Sequence, residues 1–362
     1  MSDRAAETSR LAALRARRFG DGGESLQNVG ETGLLDRLLR AAGAAAATSP
    51  GVVVGPGDDA AVWTPPAGMS VVVTQDAVVE GVDFRPGWTT PYLLGRRALT
   101  LSMSDLAAMG ATPHSCVATV CAAAPTPVDD LAAVQLGLLD AGADAGCALL
   151  GGDVSAIDGP LVVDVCAFGT VQAQTAMRRD GGRVGDLLLV SGVLGRAAAG
   201  LRLLLERDGP RPDAPLPASR ADHDLWTKAQ LQPVARLAEG RALAAAGVRC
   251  AGDLSDGLLI DAQRTGAASR CAAELWLDRV PVDASLRAAL PEGWPVLALA
   301  GGEDFELLAA APPGLCAALQ RDWSLASLTV VGRLVAGSGV RLLATEGGAE
   351  LSLPTPASRH FR

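Results

Sequence analysis

Five times along this 362-residue chain an apolar run closes on an acidic segment, in most cases with glycine beside it. The cases are Asp58 and Asp59 in GPGDDAAV, Asp76 in VVVTQD, Asp153 in LLGGDVS, Asp253 and Asp256 in AGDLSDGL, and Glu303 and Asp304 in GGEDFELL. Short β-branched or aliphatic runs bounded by Gly, Pro and Asp read as strands. Mixed sheets gather their sites at strand ends and the adjoining turns. Such punctuation fits a chain that alternates strands and helices and collects its polar chemistry at the ends of strands. Asp105 differs, because it sits inside the helical LSMSDLAAM.

The intervening sequence supplies the other elements. ETGLLDRLLRAAGAAA, PYLLGRRALTLSMSDLAAMGA and VDDLAAVQLGLLDAGADAG carry helical spacing, while HSCVATVCAAA and PLVVDVCAFGTV read as strands. A Gln- and Gly-rich stretch at 172–182 marks a boundary. Beyond it, GDLLLVSGVLGRAAAGLRLLLE reads strand, glycine loop, helix, and 207–224 reads as an exposed loop. A helix at 233–246 and closing short strands follow, with no short-period repeat. The expected organisation is a loose extension over 1–28, an α/β domain over 29–175 and an α+β domain over 176–362.

Composition narrows the chemistry. Hydrophobic residues make up 49% and charged residues 20%, enough for a sizeable core. The net charge of −9 is a poor match for nucleic acid or an anionic membrane, but suits a chain that presents carboxylates to cations. Lys228 is the only lysine and lies in no G-x-x-x-x-G-K-[ST] segment, which excludes a P-loop; nothing resembles the lysine motif of protein kinases. Three histidines and no H-E-x-x-H argue against a His-rich zinc site. Seven cysteines without a C-x-x-C read as reduced, buried thiols. The first residues lack an apolar secretory core, and the longest uncharged run, 106–128, is broken by prolines. A cytoplasmic protein with no membrane span is expected.

Carboxylates without imidazole or thiolate partners suit Mg²⁺, which prefers octahedral oxygen ligation. Clustered carboxylates repel unless cations lie between them. Such ions commonly bridge phosphates, and phosphoryl transfer asks of a protein mainly positioning and charge neutralisation. The SGVLG loop before Arg196 offers a helix N-terminus to an anion. Each Gly-Asp turn taken alone is more commonly just a turn. Asp105 is the exception, since a carboxylate on an apolar helix is costly to bury unpaired. Asp164 in LVVDVCAF reads as an ordinary outward strand residue, His114 as loop or core, and Cys250 as a buried filler.

The ordered series GDDAAV, TQDAVVEGVDF, RALTLSMSDLAAMGA, LGGDVS, RRDGGRVGDLLLVSGVLG, DLSDGLLID and GGEDFELL resembles the thiamine-monophosphate kinase family. That family is related to aminoimidazole-ribonucleotide synthetase, selenophosphate synthetase and a hydrogenase maturation protein. The resemblance runs from about Val29 to the C-terminus. It implies the two-domain aminoimidazole-ribonucleotide synthetase-like fold: an N-terminal α/β domain whose mixed sheet pairs with its twin in a homodimer, then an α+β domain completing the ATP and substrate cleft. It implies ATP-dependent phosphorylation of thiamine monophosphate to thiamine diphosphate by direct in-line transfer, assisted by several Mg²⁺ ions. Carried over by position, Asp58, Thr74, Gln75, Asp76, Asp105, Asp153, Asp253 and Asp256 are implied metal ligands, with Asp58, Asp105 and Asp256 central to catalysis. Gln135, Gly151, Gly152, Asp153, Arg179 and Ser255 are implied on the ATP side, and Asp83, Glu303, Asp304 and Phe361 on the thiamine side.

The chain departs from the family pattern in four places. Asp83 replaces the usual His of E-G-V-H-F, Gln75 replaces a Thr, Gln135 stands where an aromatic residue is common, and the customary Trp before His360-Phe361 is missing. Two other readings stay open at this point: another ATP-using synthetase of the same superfamily, and a non-catalytic sensor of nucleotide or thiamine phosphate.

Overall fold

The computed structural model describes residues 2–46, 49–209 and 216–354. The chain divides into two compact units, 1–106 with 112–173, and 107–111 with 174–362.

The first unit is built on a four-stranded sheet in the order β3-β6-β4-β5. Its strands are β3 (Met69–Val79), β4 (Thr112–Ala122), β5 (Ala148–Ala156) and β6 (Val162–Gln172), preceded by the small hairpin β1 (Val52–Val54) and β2 (Val62–Trp63). β6 pairs antiparallel with both β3 and β4, whereas β4 and β5 run parallel. A parallel pair needs a crossover, and α4 (Val128–Ala145) supplies it. α4 packs against α3 (Pro91–Ala108) at van der Waals contact between backbones. A Cβ at Gly95 would lie 1.9 Å from the Val134 carbonyl oxygen, and one at Gly137 only 2.0 Å from that of Tyr92. Two glycines thus set the interhelical distance, and any larger residue would push the helices apart.

Alternation along β3 divides its side chains between two environments. Val72, Thr74, Asp76 and Val78 turn inward, while Val71, Val73, Gln75 and Ala77 turn outward. Val71 and Val73 remain 45% and 56% exposed on this edge strand.

The segment expected as a loose extension is instead ordered. α1 (Ser2–Ala16) packs Leu11 and Leu14 against Ala133, Leu136 and Tyr92. Arg17 Nε reaches the buried Asp130 at 2.6 Å, and the Gly20 amide donates to the same carboxylate at 2.9 Å. Phe19 stacks on Phe84 with ring centroids 6.0 Å apart. α2 (Leu26–Ala46) follows, broken at Gly30. The composition of this segment hid an apolar stripe of only two leucines and a latch whose acidic half lies over a hundred residues away in sequence.

The second unit holds a seven-stranded sheet in the order β13-β12-β9-β11-β7-β10-β8. Its strands are β7 (Leu187–Ser191), β8 (Cys250–Leu254), β9 (Ala272–Trp276), β10 (Glu306–Ala311), β11 (Leu328–Val335), β12 (Val340–Leu343) and β13 (Glu350–Leu351). All pairs are antiparallel except β9 with β12. The helices are α5 (Arg196–Asp208), α6 (Arg220–Leu231), α7 (Leu237–Ala245), α8 (Leu258–Ala268), α9 (Ala284–Ala289), α10 (Trp294–Ala300) and α11 (Pro313–Asp322). Both faces of the sheet are covered, and the strands read accordingly as continuous apolar runs. Leu188, Val190 and Leu308 enter a core with Trp226, Leu258 and Leu299. Leu189, Leu307 and Ala309 enter a second core with Leu243, Val248, Met177 and Ala107. A single alternation thus feeds two layers.

Candidate functional site

In the first unit the acids lie on or beside the sheet. The inward phase of β3 brings Thr74 and Asp76 toward α3, where the Thr74 hydroxyl donates to Asp105. Asp76 is largely buried among these groups, and its Oδ2 has no hydrogen-bond partner. Burial, reinforced by the Asp105 charge and weakly by Asp164, pushes the Asp76 carboxyl up to about 6, against the opposing effect of the Ser102 hydroxyl. Two neighbouring carboxylates with a stranded oxygen are electrostatically incomplete, and either a shared proton or a divalent cation completes them. The donor set is hydroxyl and carboxylate oxygen throughout, which is the set that Mg²⁺ takes.

Gln75 falls on the other phase. Its amide donates to Asp164 Oδ1 at 2.8 Å on the outward face, so only its backbone is available beside Thr74 and Asp76. Asp164 is the outward strand residue expected. Asp76 and Asp153, read from sequence as strand ends, lie within strands that continue to Val79 and Ala156. Gly151 and Gly152 are likewise strand residues, placed at a bulge in the β4–β5 pairing. A Cβ at Gly152 would meet the Ala118 carbonyl at 1.9 Å, so the position is closed to any side chain.

Asp58 and Asp59, on the β1–β2 turn, share a cleft of about 560 Å³ with Gly151, Gly152 and Trp63. An adjoining apolar pocket is walled by Leu35, Leu38, Leu131 and Val134, with Asp153 and Gln135 among its lining residues. Gln135 donates to the Leu38 carbonyl at 2.8 Å and so ties α4 to α2. His114, expected as loop or core, stacks on Trp63 at 4.1 Å and pins the hairpin. Asp83 accepts from the Val79 amide at 2.8 Å. The carboxylate in the place of the family's histidine therefore closes its own turn. Among the described residues, no three His, Cys, Asp or Glu side chains converge into a ready cation cage.

In the second unit the sites form where β8 ends and β10 begins, on adjacent strands. Asp253 is buried in β8, and Arg179 Nη2 reaches its Oδ1 at 3.4 Å. Asp256, two residues past the strand, is paired with Arg264 of α8. Asp261 is buried beneath the loop, where its Oδ2 accepts the Asp256 amide at 3.0 Å and its Oδ1 accepts Arg264 Nη1 at 3.1 Å. Burial pushes the Asp261 carboxyl up to about 6, with Asp256 adding to the shift and the hydrogen bond and both arginines opposing it.

The GGEDF loop opposite is strained. Gly302, Glu303 and Phe305 all have left-handed backbones, at φ 73, 59 and 49°. Only the first is glycine, and a non-glycine residue held there stores energy that surrounding contacts must balance. The Glu303 and Phe305 amides donate to Ser255 and Leu254 carbonyls at 2.8 and 3.0 Å, tying this loop to the Asp253–Asp256 loop. The Glu303 carboxylate accepts from Gln230 of α6.

Asp304, expected on the thiamine side, is engaged within the chain. Its carboxylate accepts the Gly195 amide at 2.9 Å and the Ala197 amide at 3.4 Å. It is the acceptor at the N-terminus of α5, so the helix end that the SGVLG loop seemed to offer an external anion is filled from within the chain. Phe361 lies outside the described residues.

Sequence reasoning missed Arg264 and Asp261. The one signal was their i,i+3 spacing on the helix that follows Asp256. Cys250 is the buried filler expected, its thiol pushed up to about 11 by burial.

Residues 57–171 match the family described as AIR synthase related protein, N-terminal domain. The thiamine-monophosphate kinase of Mycobacterium tuberculosis is 35% identical over 290 residues, covering 79% of this chain and 81% of that protein. The crystal structure of thiamine-monophosphate kinase from Stenotrophomonas maltophilia K279a aligns with TM-score 0.75 and 34% identity, covering 84% of this chain and 95% of its own. The structure of AaThiL complexed with AMPPCP and TMP aligns with TM-score 0.68 and 24% identity, covering 91% of this chain and 97% of that chain, and shares the fold.

Proposed function

This chain belongs to the thiamine-monophosphate kinase family, and we propose that it transfers the γ-phosphoryl group of ATP to thiamine monophosphate, giving thiamine diphosphate and ADP. A non-bridging phosphate oxygen of thiamine monophosphate forms the new P–O bond as the bond from the γ-phosphorus to the ADP oxygen breaks. No side chain carries the phosphoryl group between the two. The observation that carries the reading is the stranded Oδ2 of Asp76 beside Asp105 and Thr74, an arrangement suited to a cation-assisted transfer.

The residues that would hold Mg²⁺ are Asp58, Thr74, Asp76, Asp105 and Asp153 in the first unit and Asp253 and Asp256 in the second. Bound there, Mg²⁺ supplies neutralisation of phosphate charge and geometric restraint on the phosphate oxygens. The chain's own groups do the rest. Arg179, half exposed beside Asp253, is free to turn to phosphate oxygens, where a guanidinium fork binds bidentately. Ser255 is held by its carbonyl to Glu303, so the ATP-side loop and the thiamine-side carboxylate move as one piece. Asp83 closes its turn through one carboxylate oxygen, and the thiamine contact carried over to its position stays with this turn. The outward apolar face of β3 supports a homodimer through this sheet. No helix among the described residues is long and apolar enough to cross a membrane, and the reaction, with ATP as co-substrate, fits the cytoplasm.

The test is a chromatographic assay of purified protein with ATP, Mg²⁺ and thiamine monophosphate, with thiamine as control acceptor. The expected result is thiamine diphosphate and ADP formed one-to-one, lost with EDTA and absent with thiamine. A folded, ATP-binding protein that forms no product would overturn the reading in favour of a superfamily relative or a sensor.

A further inference from the structure

The two aspartates of the DLSD loop are not bare. Asp253 has Arg179 against it, and Asp256 has Arg264. Beneath them the buried Asp261 holds both the Asp256 amide and Arg264 Nη1. Three carboxylates, from the end of β8, the loop after it and α8, are thus set against two guanidinium groups, Arg264 of α8 and Arg179 from the segment before β7. We propose that Arg264 is the resident counter-cation of Asp256: it occupies the carboxylate in the metal-free protein and must be displaced when a divalent cation binds there. The inference rests on the metal reading of Asp256 given above.

Three features of the geometry support an exchangeable pairing over a fixed one. The Arg264 side chain is 48% exposed, so it leaves Asp256 without crossing the core. Both of its contacts use the same nitrogen, Nη1, so no bidentate fork locks it in place. Asp261 stays buried and bonded to the loop backbone whichever partner Asp256 takes, so the loop keeps its shape as the counter-cation is exchanged. A divalent cation and a guanidinium brought to the same carboxylate repel one another, so the two compete for Asp256. Arg264 therefore lowers the affinity of the empty loop for a divalent cation while keeping its carboxylates from repelling one another.

The experiment measures Mn²⁺ binding, by calorimetry and by the loss of its free-ion EPR signal, to the full chain without nucleotide or thiamine phosphate. Arg264→Gln is expected to bind Mn²⁺ about two- to fivefold more tightly than wild type, the range for losing one part-exposed ion pair. Arg264→Lys restores a single-nitrogen cation and should return to within about twofold of wild type. Adding Asp256→Asn to Arg264→Gln should abolish the gain, because the competition is for that carboxylate. Unchanged or weaker Mn²⁺ binding in a folded Arg264→Gln protein overturns the proposal, as does a gain that survives Asp256→Asn. Absence of Mn²⁺ binding in every variant overturns it together with the metal reading of the loop. The kinase reading is separate, since no substrate is present, and turnover in the product assay decides it alone.

Discussion

Asp105 sits on α3 with its oxygen accepting the Thr74 hydroxyl and its charge facing Asp76. Replacing it with asparagine keeps an acceptor of the same shape and removes one of two like charges. Asp105→Asn should therefore leave the melting temperature of the metal-free protein unchanged or slightly raised. Turnover should fall by about two to three orders of magnitude, the usual loss when a preorganised charge at a transferring group is removed. Steady-state kinetics at saturating Mg²⁺ beside a thermal melt separates the two effects, and near wild-type turnover would remove Asp105 from the site. This residue was legible in the sequence because an acid among Leu, Met and Ala on a helix has no cheap structural explanation. Arg264 was not, because arginines on helix surfaces are common, and only the fold shows that this one leans back over the preceding loop. Asp83 was misleading in another way. A charge in a histidine's place suggests altered recognition, and the sequence alone does not show that one oxygen of this carboxylate also accepts the Val79 amide.

At the scale of elements, α5 begins without a capping side chain of its own and takes Asp304 from the loop before β10. Burial raises this carboxyl to about 7 against an ordinary value of 3.8, more than its two amide donors lower it. A raised folded-state pKa favours the protonated form on folding, so this contribution is complete below about pH 4 and is lost as pH rises toward and through 7. Asp304→Asn keeps the acceptor for Gly195 and Ala197 and cannot ionise. It should match wild type near pH 3.5 and melt about 3–6 °C higher at pH 8. A melt series across that range checks it, and a variant less stable than wild type at pH 8 would show that the charge itself stabilises the helix end. Most elements were readable from periodicity and Gly/Asp punctuation, including the helix that carries Asp105 and the strand that carries Asp76. The element ends were less so. β3 and β5 run past their acids because pairing with β6 and β4 continues there, and pairing partners are invisible locally. The first helix was missed for the same reason, since Arg17 gains its meaning only from Asp130.

At the scale of the molecule, the two units each own a sheet, and they treat its faces differently. The seven-stranded sheet is covered on both sides. The four-stranded sheet carries Val71 and Val73 outward on its edge strand, with Phe168 and Val117 on the same face by register. Exposed apolar patches of this kind mark association surfaces. Light scattering at micromolar protein should report twice the chain mass, and Val73→Glu should shift it to one. A wild-type monomer under assay conditions would remove this face as an interface.

The strand β3 has, in effect, a reading frame. Its even-numbered positions Val72, Thr74, Asp76 and Val78 supply the inner face, and its odd-numbered positions Val71, Val73, Gln75 and Ala77 supply the outer one. A residue inserted in the loop between β2 and β3 is absorbed there. One inserted within the strand ahead of Val71 would exchange the two sets, sending two valines toward Asp105 and the Asp76 carboxylate out to solvent. The two faces cannot drift independently: any change that rephases one rewrites the other.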